Sequence, residues 1–457
     1  MPTIMLIDTH CHLDFPDFDK DRDEVIERAK EKGVRYFLNV SSDYASNLRG
    51  LELSHNYHEI YVSLGIHPHY AKDIDENIFE RIRELIKGNR KVVAIGEIGL
   101  DFYRNISPKE IQLEIFHRFL ELGEEFKLPV IIHNRNADKE ILELIKKFSL
   151  QGVFHCFSGE RTFLKEILDL GFYVSFTANI TYPNAQNLHK VVKETPVEKI
   201  VLETDSPFLP PQEKRGLRNE PANLTYLVDK LAELKGLSKE DIIRITGFNT
   251  CQLFKLPFRD KPKIAYPIRN SLYLNITNRC TDNCSFCVRF YTDYVKGHNL
   301  RLSEEPSLEE ILRELQDISQ YKEVVFCGYG EPLLRLDIVK DVAKYLKERN
   351  MYVRLNTNGQ GNLIYRRNIL PELQGLIDEV SVSLNVESEE NYYKICQPQF
   401  GPGTFSKVKE FVLECKKYIP RVLVTFIDLP EVDLKKCEKL AQELGVGFRM
   451  RKLHQVG

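Results

Sequence analysis

The sequence lacks long apolar runs and has no marked excess of charge of either sign. No apolar stretch in its 457 residues approaches the roughly 18 that cross a membrane, so no membrane partner is expected. The N-terminal segment MPTIMLIDTHCHLD lacks the basic start and apolar run of a signal peptide. The formal net charge of −3 argues against a protein held to nucleic acid by bulk electrostatics, but not against a nuclease whose metals supply positive charge.

The ten cysteines do not form the spacing of a secreted disulfide framework. Three are clustered and seven are scattered, which suits the reducing cytoplasm and predicts a cytoplasmic protein. The chain is too long for one ordinary hydrophobic core, so two domains are expected.

The first half of the chain alternates short β-branched runs with charged amphipathic stretches. Helical patterns occur, for example, at 21–33, 75–88, 108–126 and 136–148. Eight βα units in one domain fit a TIM-like (β/α)8 barrel, although a doubly wound α/β sheet would show a similar alternation. The predicted strands are 4–8, 35–39, 60–64, 92–96, 129–133, 152–155, 172–176 and 199–203.

The segment LPFRDKPKIAYP, rich in proline and charge, ends this pattern. It predicts a linker at 257–267 between domains of residues 1–256 and 268–457. A second βα series follows and suggests a partial (β/α)6 barrel. Its predicted strands are 271–277, 323–327, 352–356, 379–384, 421–426 and 446–451.

Histidines and carboxylates recur where the predicted strands of the first domain end. His10 and His12 are two apart, so both imidazoles can reach one ion. A barrel gathers strand-end residues into one ring, and four histidines with two carboxylates are enough ligands for two divalent ions. Any one of these histidines alone would more often belong to a core or a surface. The other candidates are Glu97, His133, His155 and Asp205.

The first domain resembles the TatD family of metal-dependent deoxyribonucleases throughout residues 1–256. The resemblance implies that His10, His12 and Asp205 hold one divalent ion (Mg²⁺, Mn²⁺ or Zn²⁺), that His133 and His155 hold a second, and that Glu97 bridges them. The matching segments are DTHCHLD (8–14), GIHPHYAKD (65–73), GEIGLDFYR (96–104), IIHNR (131–135), HCFSG (155–159), ETDSPFL (203–209) and PAN (221–223).

The same resemblance implies hydrolysis of a phosphodiester, with DNA or another phosphodiester as a transient partner. Asp205 is the expected catalytic residue that orients or deprotonates the attacking water, and Glu203 would share its face as a supporting group. Arg104 and Arg135 are expected to contact phosphate oxygens, with surface salt bridges as the alternative. Two further histidines line the mouth of the site or serve a structural role, His67 and His69.

The segment NITNRCTDNCSFC of the second domain places three cysteines in CxxxCxxC spacing. Thiolates this close can ligate three irons of one 4Fe-4S cluster and leave the fourth open. A zinc site and free thiols are the alternatives, but a structural zinc normally closes with four ligands, and no fourth Cys or His lies at short spacing. The three cysteines are Cys280, Cys284 and Cys287.

This region, about 265–457, resembles the radical SAM superfamily. CGYGEP (327–332) is similar to the family's glycine-rich segment, and NTNG (356–359) and SLN (383–385) follow later strands. The resemblance implies S-adenosylmethionine as cofactor, its cleavage to a 5′-deoxyadenosyl radical, and an electron donor such as flavodoxin or ferredoxin. The residues expected to contact S-adenosylmethionine are Phe286, Gly328, Gly330, Glu331, Pro332, Asn356 and Ser383.

The sequence therefore predicts a bifunctional enzyme, a DNase-like hydrolase fused to a radical SAM enzyme of unknown substrate. The alternative is a metal-dependent hydrolase of a non-nucleic-acid ester or amide, fused to a cluster-bearing module that senses redox state or binds nucleic acid. The intact CxxxCxxC with GEP argues against the second module being only a sensor, because sensing needs no methionine-binding segment.

Overall fold

A computed structural model describes residues 5–257 and 261–452. The chain divides into two compact units, 1–259 and 260–457. The predicted linker at 257–267 is wrong at its C-terminal end, because Ala265–Ile268 is a strand. It pairs antiparallel with Ser271–Leu274 and so belongs to the second unit's sheet. Residues 258–260 of that linker lie outside the described part.

The first unit is an eight-stranded barrel in which strand order follows chain order. Every neighbouring pair is parallel. The strand order never reverses, as it would in a doubly wound sheet, so the predicted (β/α)8 barrel is confirmed. A bridge between Cys11 and Ser206 brings the first and last strands together. The strands are β1 Leu6–Cys11, β2 Val34–Val40, β3 Ile60–Leu64, β4 Val92–Asp101, β5 Val130–Arg135, β6 Gly152–Phe154, β7 Tyr173–Phe176 and β8 Ile200–Leu202.

Amphipathic helices cover the barrel. In one of them Phe79, Ile82 and Ile86 recur at helical spacing and are buried, while Asp75 caps the N-terminus by accepting from the Ile78 N–H at 2.8 Å. The helix predicted at 136–148 begins only at Asp138, because Asn136 has a left-handed φ of 57°. The helices are α1 Arg22–Glu31, α2 Tyr44–Asn56, α3 Glu76–Gly88, α4 Lys109–Phe126, α5 Asp138–Ile145, α6 Arg161–Asp169, α7 Gln186–Glu194, α8 Leu224–Lys235 and α9 Lys239–Leu253.

The second unit contains an open sheet of six parallel strands in chain order, with one antiparallel strand at its edge. This is the predicted partial barrel with β9 added. The strands are β9 Ala265–Ile268, β10 Ser271–Leu274, the two-residue pair β11 Tyr294–Val295 and β12 His298–Asn299, then β13 Glu323–Phe326, β14 Tyr352–Thr357, β15 Glu379–Asn385, β16 Arg421–Asp428 and β17 Gly447–Lys452.

Helices pack on the apolar outer face of this sheet. Val380, Val382 and Leu384 of β15 belong to the buried core, whereas the alternate residues Ser381 and Ser383 point to the opposite, inner face. Among the described residues, no helix combines the length and apolarity needed to span a bilayer. The helices are α10 Leu308–Glu314, α11 Leu336–Lys347, α12 Gly361–Tyr365, α13 Glu389–Cys396, α14 Thr404–Tyr418 and α15 Leu434–Leu444.

Candidate functional site

The six predicted ligands of the first unit meet at the C-terminal mouth of the barrel. Five lie within three residues of a strand end, where parallel strands direct their side chains into one ring, and Glu97 lies inside the long strand β4. Backbone bonds fix the seam between β1 and β8: the Asp205 N–H donates to the His10 carbonyl at 2.8 Å, and the His12 N–H to the Ser206 carbonyl at 2.8 Å. The ring consists of His10, His12, Glu97, His133, His155 and Asp205.

The first of two ligand groups lies at the β1–β8 seam. The Nε2 atoms of His10 and His12 are 3.3 Å apart. Asp205 Oδ1 lies 3.7 Å from the His10 nitrogen and 3.4 Å from that of His12. Glu97 Oε2 lies 3.5 Å from His10 Nε2. Four ligand atoms therefore surround one point.

The second group lies against the other oxygen of Glu97. Glu97 Oε1 is 2.9 Å from His133 Nδ1 and 2.8 Å from His155 Nε2. The two ring nitrogens are 3.1 Å apart. His67 adds a nitrogen 3.5 Å from the same oxygen. Glu97 thus presents one oxygen to each group.

Both groups have dimensions that fit a divalent ion. With bonds of about 2.1 Å, neighbouring ligands are about 3.0 Å apart in an octahedral site and about 3.4 Å apart in a tetrahedral one. The distances around Glu97 Oε1 match the first geometry, and those around His10 Nε2 match the second. Two imidazole nitrogens this close require either a proton or a metal cation between them, because two facing lone pairs repel each other.

Supporting contacts fix the imidazole rings. His12 Nδ1 lies 2.7 Å from the Val40 carbonyl, which requires a proton on Nδ1 and leaves the Nε2 lone pair facing the first group. Glu203 lies behind the rings, with oxygens 3.8 Å from Nδ1 of His10 and of His155. His10, His155 and Glu203 thus form a third group of close ligand atoms, on the side of the two rings away from Glu97. The supporting role of Glu203 stays a prediction.

The electrostatics of the ring favour bound positive charge. Burial lowers the pKa of His10 to about 4, so this imidazole is neutral and can ligate. Burial also opposes a charge on His155, but the Glu97 and Glu203 carboxylates outweigh it and raise the pKa of His155 to about 10. Burial raises the pKa of Glu203 itself to about 8. The cluster therefore attracts a cation between Glu97 and its imidazoles.

Sequence reasoning missed Asp101, a buried carboxylate four residues after Glu97 on the long strand β4. Its Oδ2 is 2.8 Å from His69 Nε2 and 3.7 Å from His133 Nε2. Its Oδ1 accepts from the backbone N–H of Tyr103 and Arg104. Asp101 therefore connects His69, at the mouth of the site, with His133, one of the candidate metal ligands. The available signal was its place within GEIGLDFYR.

The two predicted phosphate-contacting arginines are both exposed: Arg104 lies in the turn after β4, and Arg135 is the last residue of β5. The Arg135 guanidinium stacks over the Tyr103 ring, 4.1 Å from its centre. In the described part of the chain, no salt bridge of Arg104 or Arg135 is found, so the alternative of surface salt bridges does not hold.

The three cysteines of the second unit lie on the loop that follows β10. Cys280 Sγ accepts from the Asp282 N–H at 3.4 Å, and Cys287 Sγ accepts from Arg289 Nε at 3.2 Å. A mononuclear zinc would hold its sulfurs about 3.8 Å apart. Among the described residues, the sets of three ligand atoms within 4.8 Å of one another all lie in the first unit. The three thiols of this loop are not among these sets, so the spacing of a mononuclear zinc site is not present there.

The predicted S-adenosylmethionine residues divide into two groups. Glu331 is buried and accepts from the Thr357 hydroxyl at 2.8 Å and the Asn358 N–H at 2.7 Å, so it joins the segments after β13 and β14. Pro332 begins the short helix that Glu331 caps. Asn356 lies on β14 beside Arg354, and Ser383 lies on the inner face of β15.

The other group packs within the protein. Phe286 packs against the hydrophobic core. At Gly328 an added Cβ would lie 2.3 Å from Asn275 Oδ1, and at Gly330 it would lie 2.2 Å from the Arg279 carbonyl. Both glycines therefore approach the segment after β10 closely. These two glycines set the distance between that loop and the segment 327–332.

Two residues near the cysteine loop were missed. Asn358, rather than Asn356, reaches the loop: its Nδ2 donates to Thr281 Oγ1 at 2.8 Å and lies 3.9 Å from Cys280 Sγ. Cys396 lies at the end of α13, where its carbonyl accepts from the Asn283 N–H at 3.0 Å. No sequence spacing connects it with the other cysteines, because only the fold brings α13 to the loop.

An eight-stranded parallel barrel with imidazole and carboxylate side chains gathered at its C-terminal mouth fits a metal-dependent hydrolase. The chain belongs to the TatD related DNase family, whose model matches residues 7–255. The Radical SAM superfamily model matches residues 274–444. The chain therefore joins a TatD-like hydrolase to a Radical SAM domain, and the second implies S-adenosylmethionine and an iron–sulfur cluster.

Several relatives of the first unit are metal-dependent hydrolases. The metal-dependent hydrolase YabD of Bacillus subtilis is 41% identical over 255 residues, which are 55% of this chain and 100% of YabD. The metal-dependent hydrolase YcfH of Escherichia coli is 34% identical over 259 residues, 55% of this chain and 97% of YcfH. The solved structure of the TatD homologue YjjV of Escherichia coli has a TM-score of 0.54 and 31% identity, covering 56% of this chain and all of YjjV.

Proposed function

We propose that the first unit is a dinuclear phosphodiesterase acting on DNA. The observation that carries this proposal is the division of Glu97 between two ligand groups, with Oε2 near His10 and Oε1 near His133 and His155. Two divalent ions would supply the charge that makes water a nucleophile at neutral pH and that stabilises the leaving oxygen. Mg²⁺, Mn²⁺ and Zn²⁺ all accept such ligands.

The chain's own residues would orient the reaction. The Asp205 side chain is 13% exposed, so it faces the open mouth and can orient the attacking water and accept its proton. Arg104 and Arg135, exposed and without carboxylate partners among the described residues, would bind nonbridging phosphate oxygens. The family description as a DNase and these two arginines support a phosphodiester over an amide substrate.

The test is metal-dependent cleavage of a labelled DNA oligonucleotide and of bis(p-nitrophenyl) phosphate. We expect His133→Ala to abolish cleavage and His117→Ala, an exposed histidine on α4 beside Glu121, to leave it unchanged. A fully metallated protein that cleaves neither substrate but hydrolyses carboxylic esters or amides would overturn the phosphodiesterase proposal in favour of the alternative hydrolase.

For the second unit we propose reductive cleavage of S-adenosylmethionine. The buried Glu331, which joins the segments after β13 and β14 beside the cysteine loop, is the observation that carries it. Cys280, Cys284 and Cys287 would hold a 4Fe-4S cluster. The cluster would supply the electron that releases a 5′-deoxyadenosyl radical from S-adenosylmethionine. A small electron-transfer protein such as flavodoxin or ferredoxin would deliver that electron.

The second test uses anaerobically reconstituted full-length protein, S-adenosylmethionine and dithionite. We expect 5′-deoxyadenosine from the wild type and none from Cys284→Ala. Cys415→Ala is the matched control, because Cys415 is buried in the core. A spectroscopically intact cluster that forms no 5′-deoxyadenosine would refute the radical proposal and favour a redox-sensing module.

A further inference from the structure

The last strand of the second sheet, β17, carries two arginines, Arg449 and Arg451. The register pairs Thr425 with Arg449 and Ile427 with Arg451 across β16 and β17. The alternate residue Phe448 stacks on Phe426 of the outer core, so Arg449 and Arg451 point the opposite way, toward the concave interior.

Contacts of Arg451 connect it with the cysteine loop. Its Nη2 reaches across β16 and donates to Asn385 Oδ1 at 2.5 Å. The Asn385 amide in turn donates to Cys396 Sγ at 3.5 Å. The Cys396 carbonyl accepts from the Asn283 N–H of the loop at 3.0 Å. Arg451 therefore lies on the side of the interior where the three thiols are.

A nearby arginine, Arg354, has a carboxylate partner, which Arg449 and Arg451 lack among the described residues. Arg354 of β14 is buried and forms a bidentate contact with Glu323, at 3.0 and 2.8 Å. In the part of the chain that the structure describes, no carboxylate lies within 4 Å of Arg449 or Arg451. Both arginines belong to the exposed edge strand β17, and neither guanidinium contacts a carboxylate of the described residues. Glu323, whose pKa Arg449 helps to lower, is already paired with Arg354.

A buried hydroxyl beside these arginines also has no partner. Thr425 is 3% exposed, and its Oγ1 accepts and donates no hydrogen bond among the described residues. Its neighbours in register are Ser383 of β15 and Arg449 of β17. A buried polar group without a partner costs free energy, so a ligand oxygen at this position would stabilise it.

We propose that Arg449, Arg451 and Thr425 form a subsite for an anionic group, a phosphate or carboxylate, of the molecule on which the second unit acts. The inference rests on the proposed radical chemistry for its biological meaning, and it assigns the substrate to the class of small anionic molecules. Guanidinium groups bind such oxygens bidentately, and a hydroxyl adds a hydrogen bond.

The test measures binding of inorganic pyrophosphate to full-length, cluster-containing protein dialysed against a chelator to empty the first unit's metal centre. S-Adenosylmethionine binding is measured in parallel by equilibrium dialysis. We expect Arg449→Gln and Arg451→Gln each to weaken pyrophosphate binding about tenfold or more. Arg451→Lys should lose less. Arg313→Gln, the same charge change on exposed α10, is the matched control and should bind like the wild type.

Binding of S-adenosylmethionine should be unchanged in all variants. A parallel loss of S-adenosylmethionine binding would mean that the arginines hold its methionine carboxylate and would overturn the proposal. Equal pyrophosphate binding by Arg451→Gln and Arg313→Gln, or none by the wild type, would also overturn it. If the wild type binds pyrophosphate through these arginines but makes no 5′-deoxyadenosine, the anion subsite stands and the radical chemistry fails.

Discussion

Replacing Glu97 by glutamine tests the metal centre most directly, because this one side chain contacts both ligand groups. The substitution keeps the shape of the side chain but removes its negative charge and replaces one acceptor oxygen with an NH₂ group. The new NH₂ group would point donors at imidazole nitrogens that now lie 2.8 to 3.5 Å from the carboxylate. Removing one partner of such a buried arrangement costs about 3–5 kcal/mol, which corresponds to about 100-fold to several thousand-fold weaker metal binding.

The assay is metal content by mass spectrometry after dialysis against buffered free metal, together with hydrolysis of bis(p-nitrophenyl) phosphate. We expect about two ions per wild-type chain and fewer, with little activity, in Glu97→Gln. Glu125→Gln, which removes an exposed partner of Arg83, should change metal binding by less than about twofold. Retention of two ions and of activity by Glu97→Gln would refute the assignment of Glu97 as the shared ligand.

Three further predictions concern residues around the two sites. Asp101→Asn removes the negative charge that contacts His69 and faces His133, so activity in steady-state assays should fall by about 10- to 100-fold. Circular dichroism should show unchanged folding. Full activity of this variant would show that Asp101 is dispensable. Arg135→Gln should raise KM for the DNA substrate about tenfold with little change in kcat, and an effect on kcat alone would contradict a binding role. Cys280→Ala should reduce iron from about four atoms per reconstituted chain, and unchanged iron content would show that Cys280 is not a ligand.

The strand pattern and the position of each candidate ligand could be read from the sequence. All eight predicted strands of the barrel and all six of the second sheet are present. They could be predicted because the burial of one face gives each strand and each helix a characteristic local pattern of apolar residues. Strand ends also determine where His10, Glu97, His133 and His155 lie, because a parallel barrel brings those ends to one mouth. The antiparallel β9 was missed because prolines and charges marked it as linker.

Only the tertiary structure decided how these residues meet. The division of Glu97 between two ligand groups depends on side-chain distances across β1, β5 and β6, which no local pattern encodes. Asp101 was missed because its role depends on a contact with His69, which lies in the segment after β3. Arg451, 66 residues from Asn385 in the chain, reaches it only because β15, β16 and β17 are neighbours in the sheet. Sequence periodicity specifies which face a side chain occupies, whereas the packing of distant strands specifies its partners.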